Sequence, residues 1–130
     1  MTLNIDIAPT ILSLAGIDIP RPVNGRTLLP IVAGESPPWR KDWFYEHLVN
    51  SPGIPKSEGV RTGRWKYARF IESNPLYEWL YDLENDPGEE RNLATSTEHG
   101  NQLQRLRDRC QVWRQSLQGW QKHTPWRDPE

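Results

Sequence analysis

Near the C-terminal end of the chain, Leu103, Leu106, Cys110, Trp113, Leu117 and Trp120 recur at spacings of 3, 4, 3, 4 and 3. That spacing puts six apolar groups on one side of a helix, with Arg105, Arg107, Asp108, Arg109, Arg114 and Gln115 off it. The stripe spans only about two and a half heptads, which is short for a coiled coil. A helix of this kind is expected to pack across a small antiparallel sheet.

The preceding sequence supplies strands for such a sheet. Trp43/Tyr45/His47 alternate with Phe44/Glu46/Leu48, and Tyr77/Trp79/Tyr81/Leu83 alternate with Glu78/Leu80/Asp82, the period of a strand buried on at least one face. Residues 59–71 carry Trp65 and Tyr67, with Gly63 inviting a turn or bulge inside the run. Asp86-Pro87-Gly88-Glu89 reads as a turn. Residues 50–57 hold two prolines, a glycine and two serines, and read as an exposed loop.

At the other end, residues 4–15 read as a short helix whose Ile7, Ile11, Leu14 and Ala15 share a face. Asn4 or Asp6 is placed to cap it, Pro9 fits its first turn if Asp6 is the cap, and Gly16 stops it. Pro20, Pro22 and Gly25 form a loop. Residues 27–33 form another short helical turn ended by Gly34, and Gly34–Pro38 reads as a linker. The expected fold class is α+β: a small antiparallel sheet of about three to four strands, packed against the long C-terminal helix and preceded by a short N-terminal helix.

Composition narrows the function. A length of 130 residues suits one small domain. Apolar residues are only 35%, offset by seven Trp that each bury large areas. Sixteen basic and 17 acidic residues give a net charge of −1, without the concentrated positive field that nucleic acid requires and without support for an anionic membrane surface. No apolar run approaches the roughly 20 residues of a membrane span. Cys110 is the single cysteine, which rules out an internal disulfide and offers no metal-ligand spacing. Met1-Thr2-Leu3-Asn4 lacks the basic start and apolar stretch of a signal peptide. It leads within a few residues into the first helix, as a fragment of a longer protein would.

Four stretches in order resemble the C-terminal end of the formylglycine-dependent sulfatases. They are Asn4–Leu12 with Ala15-Gly16-Ile17; Gly25–Ile31 with Gly34; Gly59–Tyr67; and Leu80-Tyr81-Asp82-Leu83 with Asp86–Glu89 and Asn92-Leu93. The likeness covers roughly residues 4–117 and is greatest to the branch near heparan N-sulfatase and bacterial arylsulfatases. In that family a large N-terminal α/β domain carries a Cys-x-Pro-Ser-Arg-type motif, whose cysteine becomes formylglycine, and acidic residues that hold calcium. The smaller C-terminal subdomain is an antiparallel sheet covered by the terminal helix, and it closes one side of the substrate pocket.

The resemblance implies that residues 1–34 are the tail end of the catalytic domain, 35–122 the C-terminal subdomain, and 123–130 a tail. It implies a catalytic domain elsewhere as partner, a sulfated small molecule or sulfated glycan as substrate, and an exported parent protein. It implies no catalytic residue, metal or cofactor in this chain, with calcium and formylglycine belonging to the whole enzyme. Arg109-Cys110-Gln111-Val112-Trp113 departs from the modification motif, and Cys110 on the apolar stripe reads as a structural thiol.

Four residues are candidates for the substrate rim: Glu46, His47, Arg61 and Lys66. Glu46 and His47 are adjacent in a strand and point to opposite faces; the ordinary alternative for His47 is a partner within the sheet. Arg61, Arg64 and Lys66 suit sulfate or carboxylate recognition, against the alternative of ion pairs with local carboxylates. Asp82, Glu84 and Asp86 alternate, but Pro87 and Leu93 stand where a calcium loop needs Gly and Glu. His99 and His123 have no partner at ligand spacing. The strand and stripe tryptophans read as core. Two further functions compete with a pocket-completing subdomain: a carbohydrate-binding module using exposed Trp and Arg, favoured by coplanar Trp rings on one sheet face, and a structural module that pairs through the terminal helix, favoured by a self-complementary apolar patch.

Overall fold

The structure, a computed structural model, describes residues 1–21, 23–49 and 51–121, of which 118–121 by backbone alone. Pro22, Asn50, the side chain of Trp120, and the expected tail at 123–130 with His123 lie outside it. The chain divides into two compact units, Met1–Lys41 and Asp42–Glu130.

In the first unit a single turn of 3-10 helix, Asn4–Asp6, leads into α1 (Ile7–Leu14), and a short α2 follows at Leu29–Val32. Gly16 ends α1 as expected. It sits at φ 69°, which lets the Ile17 amide reach back to the Leu12 carbonyl at 2.9 Å. Gly34 repeats the device after α2, at φ 82°, with Glu35 N–H on the Pro30 carbonyl at 2.8 Å.

Asp6 stands at the start of α1 but does not cap it. Its fully buried carboxylate turns away from the helix amides. It accepts the Leu3 amide at 2.8 Å, the Arg26 amide at 2.9 Å, and both terminal nitrogens of Arg40 at 2.5 and 2.6 Å. Thr10 Oγ1 donates to the Asp6 carbonyl at 2.6 Å and accepts the Leu28 amide at 2.9 Å. Gly25 makes this closeness possible, since a Cβ there would lie 1.9 Å from the Ile5 carbonyl oxygen. A polar web centred on one carboxylate thus holds α1, α2 and Arg40 together. Trp39 joins it, stacked under Arg40 and donating its indole N–H to the Met1 carbonyl at 2.5 Å.

The second unit contains four antiparallel strands in the order β1-β2-β3-β4: Asp42–His47, Ser57–Thr62, Trp65–Phe70 and Tyr77–Asp82. The run expected at 59–71 is two strands, because the turn at Gly63-Arg64 folds it back on itself. Thr62 Oγ1 accepts the Trp65 amide at 2.8 Å across that turn. The stripe helix is α3, Gly100–Gln121, introduced by a 3-10 turn at Thr97–His99.

Register fixes the core. Phe44, Val60, Tyr67 and Leu80 lie side by side across the four strands. Val60, Tyr67 and Leu80 pack in one cluster with Leu93 and with Leu103, Leu106 and Cys110 of α3, and Phe44, Trp65 and Trp113 border it. The arginines beside the stripe also face the sheet. Arg109 grips Asp42 of β1 at 2.6 and 2.9 Å, with Trp113 Nε1 on the same carboxylate at 2.9 Å. Arg114 reaches Glu58 of β2 at 3.2 Å. Arg107 is bidentate on Glu78 of β4, which also accepts the Tyr67 hydroxyl at 2.7 Å. Cys110 is buried beneath these pairs, 3.9 Å from Glu58, and burial pushes its thiol up to about 11.

Two outcomes follow for stability. Leu106 is 3% exposed, and Leu106→Ala is expected to cost about 2–5 kcal/mol of unfolding free energy, read as a lower urea midpoint. For Asp6, burial raises the carboxyl, but Arg40 and the Arg26 and Leu3 amides outweigh it and hold it down at about 2. A carboxyl depressed in the fold stabilises it fully above the ordinary carboxylate value near ~3.9, and this is lost as pH falls toward about 2. The Trp39 indole resonance is expected to collapse to its unfolded position over that window. Asp6→Asn is expected to disperse it already at neutral pH, since Arg40 is then left buried without its counter-charge.

Candidate functional site

The pleat sends alternate residues of each strand to the face turned away from α3. Three cross-strand rows cover that far face. The first is Trp43-Arg61-Lys66-Tyr81, the second Tyr45-Gly59-Ala68-Trp79, and the third His47-Ser57-Phe70-Tyr77. It is an aromatic surface with its cationic groups at one end. Gly59 has a specific role here: a Cβ would meet the Tyr45 ring at 2.7 Å, so the bare backbone lets that ring lie across the sheet. Burial pushes the Tyr45 phenol up to about 12.

Of the four rim candidates, Arg61 and Lys66 come together as direct cross-strand neighbours. His47 shares their face but lies two rows away. It is half-buried, and its Nε2 is buried without a hydrogen-bond partner among the described residues. Glu46 is on the α3 side, exposed, in register with Glu58. The structure therefore places three candidates on one face and the fourth on the other, as adjacent strand positions require.

The remaining charged motifs are internally paired. Arg64 is bidentate on Asp82 at 2.8 and 2.6 Å and lies over the Trp65 ring. The Arg64 guanidinium beside it, together with Asn85, holds the Asp82 carboxyl well below the usual carboxylate range against the opposing effect of burial. Asp86 accepts the Glu90 and Arg91 amides at 3.1 and 2.9 Å, the turn role its position implied. Asn92 closes the outer edge of β4, accepting the Leu80 amide at 3.0 Å and donating to the Glu78 carbonyl at 2.9 Å. His99 rests on the Trp65 ring, with Nδ1 3.2 Å from Ser96 Oγ.

Glu89 is the residue that sequence reasoning passed over. It forms an ion pair with Lys66 from 23 residues away in the chain. Its place in the Asp86–Glu89 turn was readable, but no local spacing reveals a pairing made through space.

The chain matches a family model described as N-sulphoglucosamine sulphohydrolase, C-terminal, over residues 1–116. It is 32% identical over 113 residues to N-acetylglucosamine-6-O-sulfatase of Bacteroides thetaiotaomicron, covering 82% of this chain and 20% of that protein. It is 36% identical over 105 residues to Delta 4,5-hexuronate-2-O-sulfatase of the same organism, covering 76% of this chain and 21% of that one. Among solved structures, a 2-O GAG sulfatase superposes with a TM-score of 0.75 at 29% identity, over 95% of this chain and 27% of that chain. The chain thus spans about a fifth of the length of these curated relatives. The short N-terminal helix, four-stranded antiparallel sheet and covering helix are the architecture shared with these sulfatase structures. The chain belongs to the N-sulphoglucosamine sulphohydrolase C-terminal family and is a sulfatase C-terminal subdomain.

Proposed function

We propose that this subdomain completes the fold and the substrate-pocket rim of a sulfuric-ester hydrolase, docks on a catalytic domain carried by preceding polypeptide, and hydrolyses nothing by itself. The observation that carries this reading is α1. Its sequence, Ile7 to Leu14, contains no charged residue. Of its polar side chains, Thr10 is spent on internal hydrogen bonds. Ile7, Ile11 and Leu14 are nevertheless 56, 60 and 69% exposed. A helix apolar on nearly every side belongs inside a protein, and an exposed patch of this kind marks an interaction surface. The relatives, about five times longer than the part matched, have the chain length to cover it.

In this reading Arg61 and Lys66 border the pocket, and the Arg61 guanidinium meets a sulfated small molecule or sulfated glycan. His47 lies on the same sheet face, its buried Nε2 without a partner among the described residues, and Glu46 stands at the edge on the α3 side. The described residues of this chain do not fit the family's calcium or formylglycine. Cys110 is buried in the helix–sheet core with its thiol pushed up to about 11. Among the described residues no group of three His, Cys, Asp or Glu side chains converges. Both groups are assigned to the catalytic domain.

A sugar-stacking module is less well supported. The neighbouring rings of the far face are mutually tilted, Trp43 to Tyr45 by 54°, Phe70 to Trp79 by 78° and Trp79 to Tyr81 by 52°. Phe70 and Tyr77 alone approach a common plane among the described residues, at 28°, but Phe70 is buried and offers a sugar little open ring face.

The purified chain is expected to give no turnover of p-nitrophenyl sulfate with or without calcium, and the DNA preceding Met1 is expected to encode an in-frame Cys-x-Pro-Ser-Arg sequence. Turnover by the chain alone refutes the proposal. Ile11→Asp with Leu14→Asp is expected to lower 8-anilinonaphthalene-1-sulfonate fluorescence of the isolated chain and raise its solubility. The thermal midpoint of the isolated chain is expected to stay within about 2 °C, because these side chains contact mainly water there.

A further inference from the structure

Glu89 occupies a backbone position that favours glycine. It lies at φ 56°, immediately after Gly88, in a turn closed by its own amide on the Asp86 carbonyl at 3.1 Å. A residue with a Cβ is disfavoured there, and such outliers persist where the surroundings hold them. The side chain displayed from this position forms the ion pair with Lys66. Arg61, directly across the β2–β3 ladder from Lys66, is half-buried and forms no ion pair among the described residues.

We infer that Glu89 is a positioning residue that cancels the Lys66 charge and leaves Arg61 as the one free cation of the row, so that this rim suits a singly charged oxyanion. A sulfate monoester carries one negative charge, whereas a phosphate monoester near neutral pH carries between one and a half and two. A second free cation would favour the more highly charged ester. The inference rests on the rim reading above and adds the element that selects charge.

Two measurements on the 130-residue chain test it. With limiting acetic anhydride, read residue by residue by mass spectrometry, Lys66 is expected to acetylate several-fold more slowly than the exposed Lys41, which forms no ion pair among the described residues. Glu89→Gln and Glu89→Gly are both expected to remove the difference; the glycine variant suits the left-handed backbone, so damage to the turn is not the cause. In NMR titrations followed at the Arg61 Nε–H, Glu89→Gln is expected to raise affinity for phenyl phosphate about fivefold more than for phenyl sulfate, since the released charge at about 4 Å acts on nearly one further negative charge. Lys66 acetylating as fast as Lys41 in the parent chain overturns the inference, as does an unchanged phosphate-to-sulfate ratio while Arg61 still responds. No response of Arg61 to either ester in any variant overturns the rim assignment itself.

Discussion

The second unit depends on one contact surface, the meeting of the α3 stripe with the Val60-Tyr67-Leu80 row of the sheet. A four-stranded sheet this small is stable only if one face is taken out of water. Leu103, Leu106 and Cys110 do that for the central strands. The arginines flanking the stripe then settle where the helix lies. Arg109, Arg114 and Arg107 reach β1, β2 and β4 respectively, so the helix cannot slide or rotate without breaking pairs on three strands. Apolar burial supplies most of the free energy, and the guanidinium–carboxylate geometry supplies register.

The first unit uses the opposite strategy. Its apolar helix is turned outward, and its centre is a buried carboxylate. Asp6 receives two backbone amides and a bidentate guanidinium, enough to satisfy an ion that would otherwise be very costly to bury. A piece of chain too short to form an apolar core can still hold its shape in this way. It holds α1 in place while leaving its apolar side chains for another surface.

That division of labour fits a subdomain that finishes a larger protein. One unit offers an apolar helix to be covered. The other presents a sheet face on which Arg61 forms no ion pair among the described residues, while other charged groups of the sheet are paired. Arg64 is committed to Asp82, Lys66 to Glu89 and Arg69 to Glu58. In the proposed reading, pairing of its neighbours leaves the Arg61 guanidinium available to an anion.

Much of this was legible in the sequence. The 3-4-3-4-3 spacing determined the terminal helix and its buried side. The alternation in Trp43–Leu48 and Tyr77–Leu83 determined two strands, and Gly16 and Gly34 determined where two short helices stop. All of these follow from interactions within a few residues. The order of the four motifs also carried the family. Only the tertiary structure decided that Asp6 serves Arg40 and not its own helix, and that Ile7, Ile11 and Leu14 of α1 are left more than half exposed. It also decided that Glu89 pairs with Lys66. The physical reason is common to all three: each outcome depends on groups distant along the chain, whose competition for a carboxylate or an apolar surface has no signature in local spacing.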